Sequence, residues 1–239
     1  MTTESTFADR AIAFYENLQE PTNLPVGVSA LNPYREPEVQ RIGREFYGKF
    51  FNDNRPRVFI TGINPGRFGA GVTGISFTTF QNLQRYCDIE NNLPPIASGN
   101  RPELSSRFIY RLVEAFGGAA SFYSHFFLTS LYPLALVTNG QKKGVVNYNF
   151  YDDKATINAL WPAITDSVRQ QLKFGARRDV VICLGRKNES FLKRLNAENG
   201  FFDKVLTLDH PRYILQYKSK AIDAYIEQYI SVLGSQISL

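Results

Sequence analysis

Asn64 and His210 are the two side chains whose type and setting point most directly to chemistry. Asn64 follows Val58-Phe59-Ile60-Thr61, an apolar and β-branched run that reads as a buried strand, with only Gly62 and Ile63 between. Pro65 fixes its own φ and biases Asn64 away from the helical region, while Gly66 permits a positive φ or a close backbone approach. Such a turn presents the Asn64 amide at the carboxyl end of a strand, where open α/β sheets bind their ligands. A carboxamide is no strong base, but its oxygen can orient one water molecule. Glycines at 69, 71 and 74 let the backbone pass close to a neighbour, and Phe77 ends the segment as an aromatic platform. The plainer alternative is a glycine-rich β-turn.

His210, one of only two histidines, falls after Val205-Leu206-Thr207-Leu208, a second apolar strand pattern, and before Pro211-Arg212-Tyr213. A lone histidine in a strand-end turn is more often structural than catalytic. Two such turns at the carboxyl ends of parallel strands would, however, share one rim, and a shared site follows from that.

The elements that must position these residues can be read from periodicity. Helices are expected over 6–19, 37–51, near 78–87, and over 103–116, 187–197 and 219–233. Residues 153–173 read as mostly helical, with a break before Pro162. Strands are expected at about 57–61, 126–130, 179–184 and 204–208, with a Pro/Gly-rich loop at 93–101 and a long polar and aromatic loop over 137–151. Strands alternating with helices imply a mainly parallel sheet with right-handed crossovers. At 239 residues and 44% hydrophobic content, the whole chain is expected to form one domain.

Composition narrows the function classes. The net charge of +5 permits nucleic-acid binding without proving it, and the basic pairs at 142–143, 177–178 and 186–187 are ordinary for a solvated surface. Cys87 and Cys183 are the only cysteines, too few for an iron–sulfur cluster, and no zinc-ligand spacing is present. No cofactor, metal or membrane partner is expected. The first residues lack a leader's apolar region and no stretch approaches a membrane span, so a soluble protein of a reducing compartment is expected.

The run from Gly62 to Phe77, G-I-N-P-G-R-F-G-A-G-V-T-G-I-S-F, resembles without a gap the first motif of the SMUG-type uracil-DNA glycosylases, G-M-N-P-G-P-F-G-M-x-x-T-G-V-P-F. Upstream, Leu31-Asn32-Pro33-Tyr34 before a helix looks like the family's N-P-x-x-Y entry segment, and 180–186 is similar to its V-V-G-V-G-R strand and turn. His210-Pro211 matches the start of its H-P-S-P-R-N-P loop. The resemblance runs from about residue 30 to the C-terminus and looks closer to a bacterial second branch of the family. It implies a three-layer α/β/α sandwich around a four-stranded sheet, and a monofunctional glycosylase acting on deaminated bases in DNA. It also implies a monomer in the bacterial cytoplasm, associated with the nucleoid when acting on DNA.

Within that resemblance, hydrolysis of the bond to a nucleobase passes through an oxocarbenium-like sugar and an anionic base. Asn64 would orient the water and His210 would donate to O2 of the base. No aspartate occupies position 64, which implies the water-positioning variant of the reaction. Gly62, Ile63, Phe68, Phe77 and Ser130 would hold the base, with Phe77 stacked on it. Pro65, Gly66, Arg67, Arg212 and Tyr213 would touch DNA. Filling the hole left by a flipped base falls to Arg212 or Tyr213, with Ile214 and Leu215 beside them; the alternative is a Tyr/Leu pair packing this loop on the last helix.

Two departures bear on specificity. The loop after His210 lacks the S-P-R-N-P run, and Ser130 stands where the better-known branch has an asparagine that reads the uracil edge. Losing half of a hydrogen-bonding fork weakens discrimination, so xanthine and hypoxanthine join uracil as expected substrates. Two other classes stay open. One is a silent DNA-binding module on the same fold, against which the presence of both Asn64 and His210 speaks. The other is an unrelated nucleoside hydrolase, against which the absence of a facing carboxylate pair speaks.

Overall fold

The structure is a computed structural model that describes residues 4–91, 103–140 and 144–237. Its helices are α1 Phe7–Glu16, α2 Pro37–Phe50, α3 Ala70–Thr73, α4 Phe80–Cys87, α5 Leu104–Ala115, α6 Ala119–His125, α7 Lys154–Leu172, α8 Arg186–Asn199, α9 Pro211–Tyr217 and α10 Ile222–Ile237. Its strands are β1 Val28–Leu31, β2 Arg57–Gly62, β3 Phe126–Ser130, β4 Ala135–Gly140, β5 Gly144–Tyr148, β6 Ala176–Leu184 and β7 Lys204–Leu208.

The main sheet has the order β3-β2-β6-β7 with every pairing parallel. Every residue of β2 and β3 is buried, as continuous apolar runs in a parallel sheet require when helices cover both faces. This is the expected α/β/α architecture. Register then sets the site: Gly62 pairs with Ser130, Thr61 with Cys183, and Leu184 with Leu208. The strands therefore end together, and the turns that follow them share one rim.

Three expectations need correction. The stretch 137–151 is not a loop. It contains β4 and β5, an antiparallel pair that joins β1 in a second, three-stranded sheet of order β1-β4-β5. The helix α7 is not broken before Pro162. The carbonyl that loses its partner there belongs to Asn158; both residues are exposed, so water can satisfy it and the helix continues. Finally, the segment after His210 is the helix α9, with Pro211 at its first position, where a missing N–H costs nothing. The 93–101 loop and the 142–143 basic pair lie outside the described residues.

Among the described residues no helix is long and apolar enough to cross a membrane. Nor does any group of three or more His, Cys, Asp or Glu side chains there have a metal-holding arrangement.

Candidate active site

A cleft of about 1250 Å³ opens at the carboxyl ends of the parallel strands. It exceeds the usual range for a small-molecule pocket, so it has room for a base together with some of the strand that carries it. The predicted residues Gly62, Ile63, Asn64, Pro65, Gly66, Arg67, Phe68, Phe77, Ser130, His210, Arg212 and Tyr213 all line it.

Asn64 is held from both ends of its carboxamide. Its Nδ2 donates to the Tyr148 carbonyl at 3.1 Å, and its Oδ1 accepts from the Phe150 N–H at 3.2 Å. These contacts come from the end of β5 and the turn after it. They fix which end of the amide is oxygen and leave that oxygen a second lone pair. The same strand steadies the next part of the turn, where Asn147 Oδ1 accepts from the Arg67 N–H at 3.0 Å.

Phe77 lies in the left-handed region, with φ 56°, which is uncommon for a residue with a side chain. Its ring sits on Gly62 so closely that a Cβ there would fall 2.8 Å from the ring edge. Any residue but glycine at 62 would push the ring away. Ser130, paired with Gly62 in register, lies beside this contact, and its carbonyl accepts from Gln171 Nε2 at 3.1 Å. Thr73 ties the segment together: its hydroxyl accepts from the Ile75 N–H at 3.2 Å and lies 3.0 Å from the Thr78 carbonyl. Tyr34 donates to the Gly74 carbonyl at 3.0 Å, which gives the upstream segment a place in the site's support.

His210 caps α9. Its Nδ1 accepts from the Arg212 N–H at 3.1 Å, so that nitrogen carries no proton. Burial, with a smaller contribution from the nearby Arg212 charge, lowers its pKa from 6.5 to about 4. At neutral pH the ring is therefore neutral with its proton on Nε2, a donor and not a cation. The ring lies 6.3 Å from that of Phe77, centroid to centroid. Gly185 leaves room for it: a Cβ there would come within 3.2 Å of the His210 Cβ.

Arg212 and Tyr213 sit exposed on the first turn of α9, and Tyr213 lies 5.5 Å from the exposed Tyr217 one turn on. Ile214 is fully buried, so the face that packs inward carries this residue and not the tyrosines. The tyrosine at 213 is thus free of the packing role that a Tyr/Leu pair would have given it. Arg67, Arg186, Lys187 and Arg212 bring positive charge to the cleft.

Three groups escaped the reading of the sequence. The main chain of Tyr148 and Phe150 was hidden because β5 was read as loop. Asn188, buried in the first turn of α8, donates to the Thr61 carbonyl at 2.7 Å while its Oδ1 has no partner among the described residues. Glu103, just ahead of α5, also lines the cleft, and its Oε2 is buried without a hydrogen-bond partner among those residues. Burial raises its pKa to about 7 against the opposing influence of Arg212 and of Ser105. Spacing alone could not have found either one.

The sequence profile of the uracil DNA glycosylase superfamily matches residues 49–234. The crystal structure of wild-type SMUG2 from Pedobacter heparinus is similar to this chain at 40% identity and a TM-score of 0.91, covering 98% of this chain and 99% of that one. The chain belongs to the SMUG-type uracil-DNA glycosylases. As a member of that superfamily it is a DNA glycosylase, a hydrolase of N-glycosyl bonds that acts on DNA. Among curated proteins none matches the chain.

Proposed function

We propose that this glycosylase excises deaminated bases, uracil together with xanthine or hypoxanthine, from DNA in base excision repair. Asn64 positions the attacking water and His210 stabilises the departing base. The observation that carries this reading is the pairing of an amide locked by two main-chain groups with a neutral imidazole whose free N–H is fixed by its tautomer, both lining one cleft. A water aligned on C1′ gains effective molarity, and a preorganised donor at O2 meets negative charge as it forms. A neutral donor suits this step because it adds no cation beside the electrophilic sugar. Phe77 and Gly62 hold the base flat, while Arg212 and Tyr213 occupy the space it leaves in the duplex.

Ser130 supports the wider substrate range. A hydroxyl is one rotatable donor and acceptor, less demanding of one base edge than an amide fork. The test is incubation with oligonucleotides bearing uracil, xanthine or hypoxanthine, followed by alkali to reveal abasic sites. Strand cleavage at uracil and at one purine or both is expected, and Ser130→Asn should move the ratio toward uracil. Intact strands throughout would overturn the reading; a ratio unmoved by Ser130→Asn would remove Ser130 from selectivity.

A further inference from the structure

Among the described residues, Glu103 is the carboxylate-bearing side chain of this cleft that combines a buried oxygen without a hydrogen-bond partner and contact with the loop of the first motif. Its carboxyl group lies against Gly69 so tightly that any side chain at that position would overlap it. The next residue, Ala70, is small and buried, and Gly71 packs directly on the Gly66 carbonyl. One oxygen of this acidic group, Oε2, has no hydrogen-bond partner among the described residues, and such atoms call for an explanation.

The reading above, on which this inference rests, fixes how a base must lie. His210 meets the flank of the ring that carries O2 in a pyrimidine and N3 in a purine. Residues 66–68 and 70 line the same cleft as His210, and the opposite flank is assigned to them. In uracil that flank holds only carbon-bound hydrogens. In hypoxanthine or xanthine it holds the imidazole ring with N7, an acceptor that gains basicity as the glycosidic bond breaks.

We infer that Glu103 is the proton donor to N7 of a departing purine base, and so a residue that sets purine excision apart from uracil excision. As C1′–N9 breaks, its electron pair passes to the base and the proton of the Glu103 carboxyl group passes to N7. The base leaves as a neutral N7–H tautomer. The oxygen of the Asn64-held water bonds to C1′ and its spare proton goes to solvent, from which Glu103 is reprotonated. Uracil has no N7 and leaves as an anion held by His210. The charge that acts on Glu103 from a facing element is Arg212 on α9; on its own side the Ser105 hydroxyl bonds it, and Gly69 and Ala70 bring no charge.

The test uses Glu103→Gln, which keeps the volume but is no acid, against hypoxanthine, 7-deazahypoxanthine and uracil in the same strand. In the wild type, 7-deazahypoxanthine should leave at least tenfold more slowly than hypoxanthine, and hypoxanthine excision should fall as pH rises through about 7 while uracil excision does not. The variant should lower the hypoxanthine-to-uracil rate ratio at least tenfold, abolish the fall near pH 7, and leave the 7-deazahypoxanthine-to-uracil ratio unchanged. Hypoxanthine and uracil falling in parallel, an equal loss on the 7-deaza base, or uracil excision with no purine excision would each overturn the inference. Absence of uracil excision in the wild type would instead overturn the glycosylase assignment to deaminated bases.

Discussion

The strand β2 has two ends of opposite character. At its start Arg57 is fully buried and its whole guanidinium is engaged: Asp53 at 2.5 and 3.1 Å, the Arg55 carbonyl at 2.8 Å, Tyr123 at 3.1 Å and Phe50 at 3.2 Å. The rings of Phe7 and Phe51 flank it at 5.1 and 5.0 Å. At the other end, seven residues on, the chain turns into Asn64 beside a left-handed Phe77 and two buried polar atoms, on Glu103 and Asn188, that have no hydrogen-bond partner among the described residues. At the first end every donor of the Arg57 guanidinium is satisfied. The other keeps strain and spare hydrogen-bonding capacity, as a surface built to receive a ligand does. Stability and chemistry are separated by the length of one strand.

Substitutions at the two ends should therefore fail in different ways. Asn64→Ala should cut single-turnover excision by about two to four decades, the loss expected when a water is no longer aligned, with melting and DNA binding nearly unchanged. Unaltered excision in the purified variant would break the contrast at its reactive end. Arg57→Ala should do the converse. Removing one partner of a buried pair costs about 3–5 kcal/mol, read as a lower denaturant midpoint, while the folded fraction cuts at the wild-type rate. A smaller loss belongs to Phe77→Ala, which should weaken binding of an uncleavable lesion strand by about 1–3 kcal/mol. Equal affinity would make the ring mere packing.

The mildest effect concerns pH. The folded-state pKa of His210 is lowered to about 4 from 6.5, so its stabilising contribution is complete above 6.5 and is lost as pH falls through about 4. Protonation also ends the Nδ1 acceptance that caps α9. Wild-type uracil excision should stay level from neutral pH down to about 5 and decline below it, with the decline absent in His210→Gln. A fall centred near 6.5 would show the ring to be more open to solvent than its setting implies.

The parallel sheet was legible because both faces of β2 and β3 are covered, which leaves uninterrupted apolar runs in the sequence. The second sheet was not. Strand β5 is mostly exposed, and Val145-Val146-Asn147-Tyr148 mixes polar and apolar residues in a way that loops share. The helix α9 did carry its signal, a histidine cap followed by proline at the first position, but that pair also reads as a turn. Asn64, Phe77 and His210 were found from strand-end position and from the resemblance together. Glu103 was not, because what sets it apart is burial against Gly69, a property of packing that no spacing records.

The carboxamide of Asn64 is oriented by the peptide groups of Tyr148 and Phe150, not by their side chains. Peptide groups are the same whatever residue carries them. Point substitutions at 148 and 150 that respect the backbone can therefore accumulate without disturbing the alignment of the amide. A change in chain length is another matter. Deleting or inserting one residue in the β4–β5 hairpin would shift the register between Leu136 and Tyr148 and aim a different carbonyl at the site. Evolutionary drift in this protein is thus free to rewrite the letters around Asn64, but not to recount them.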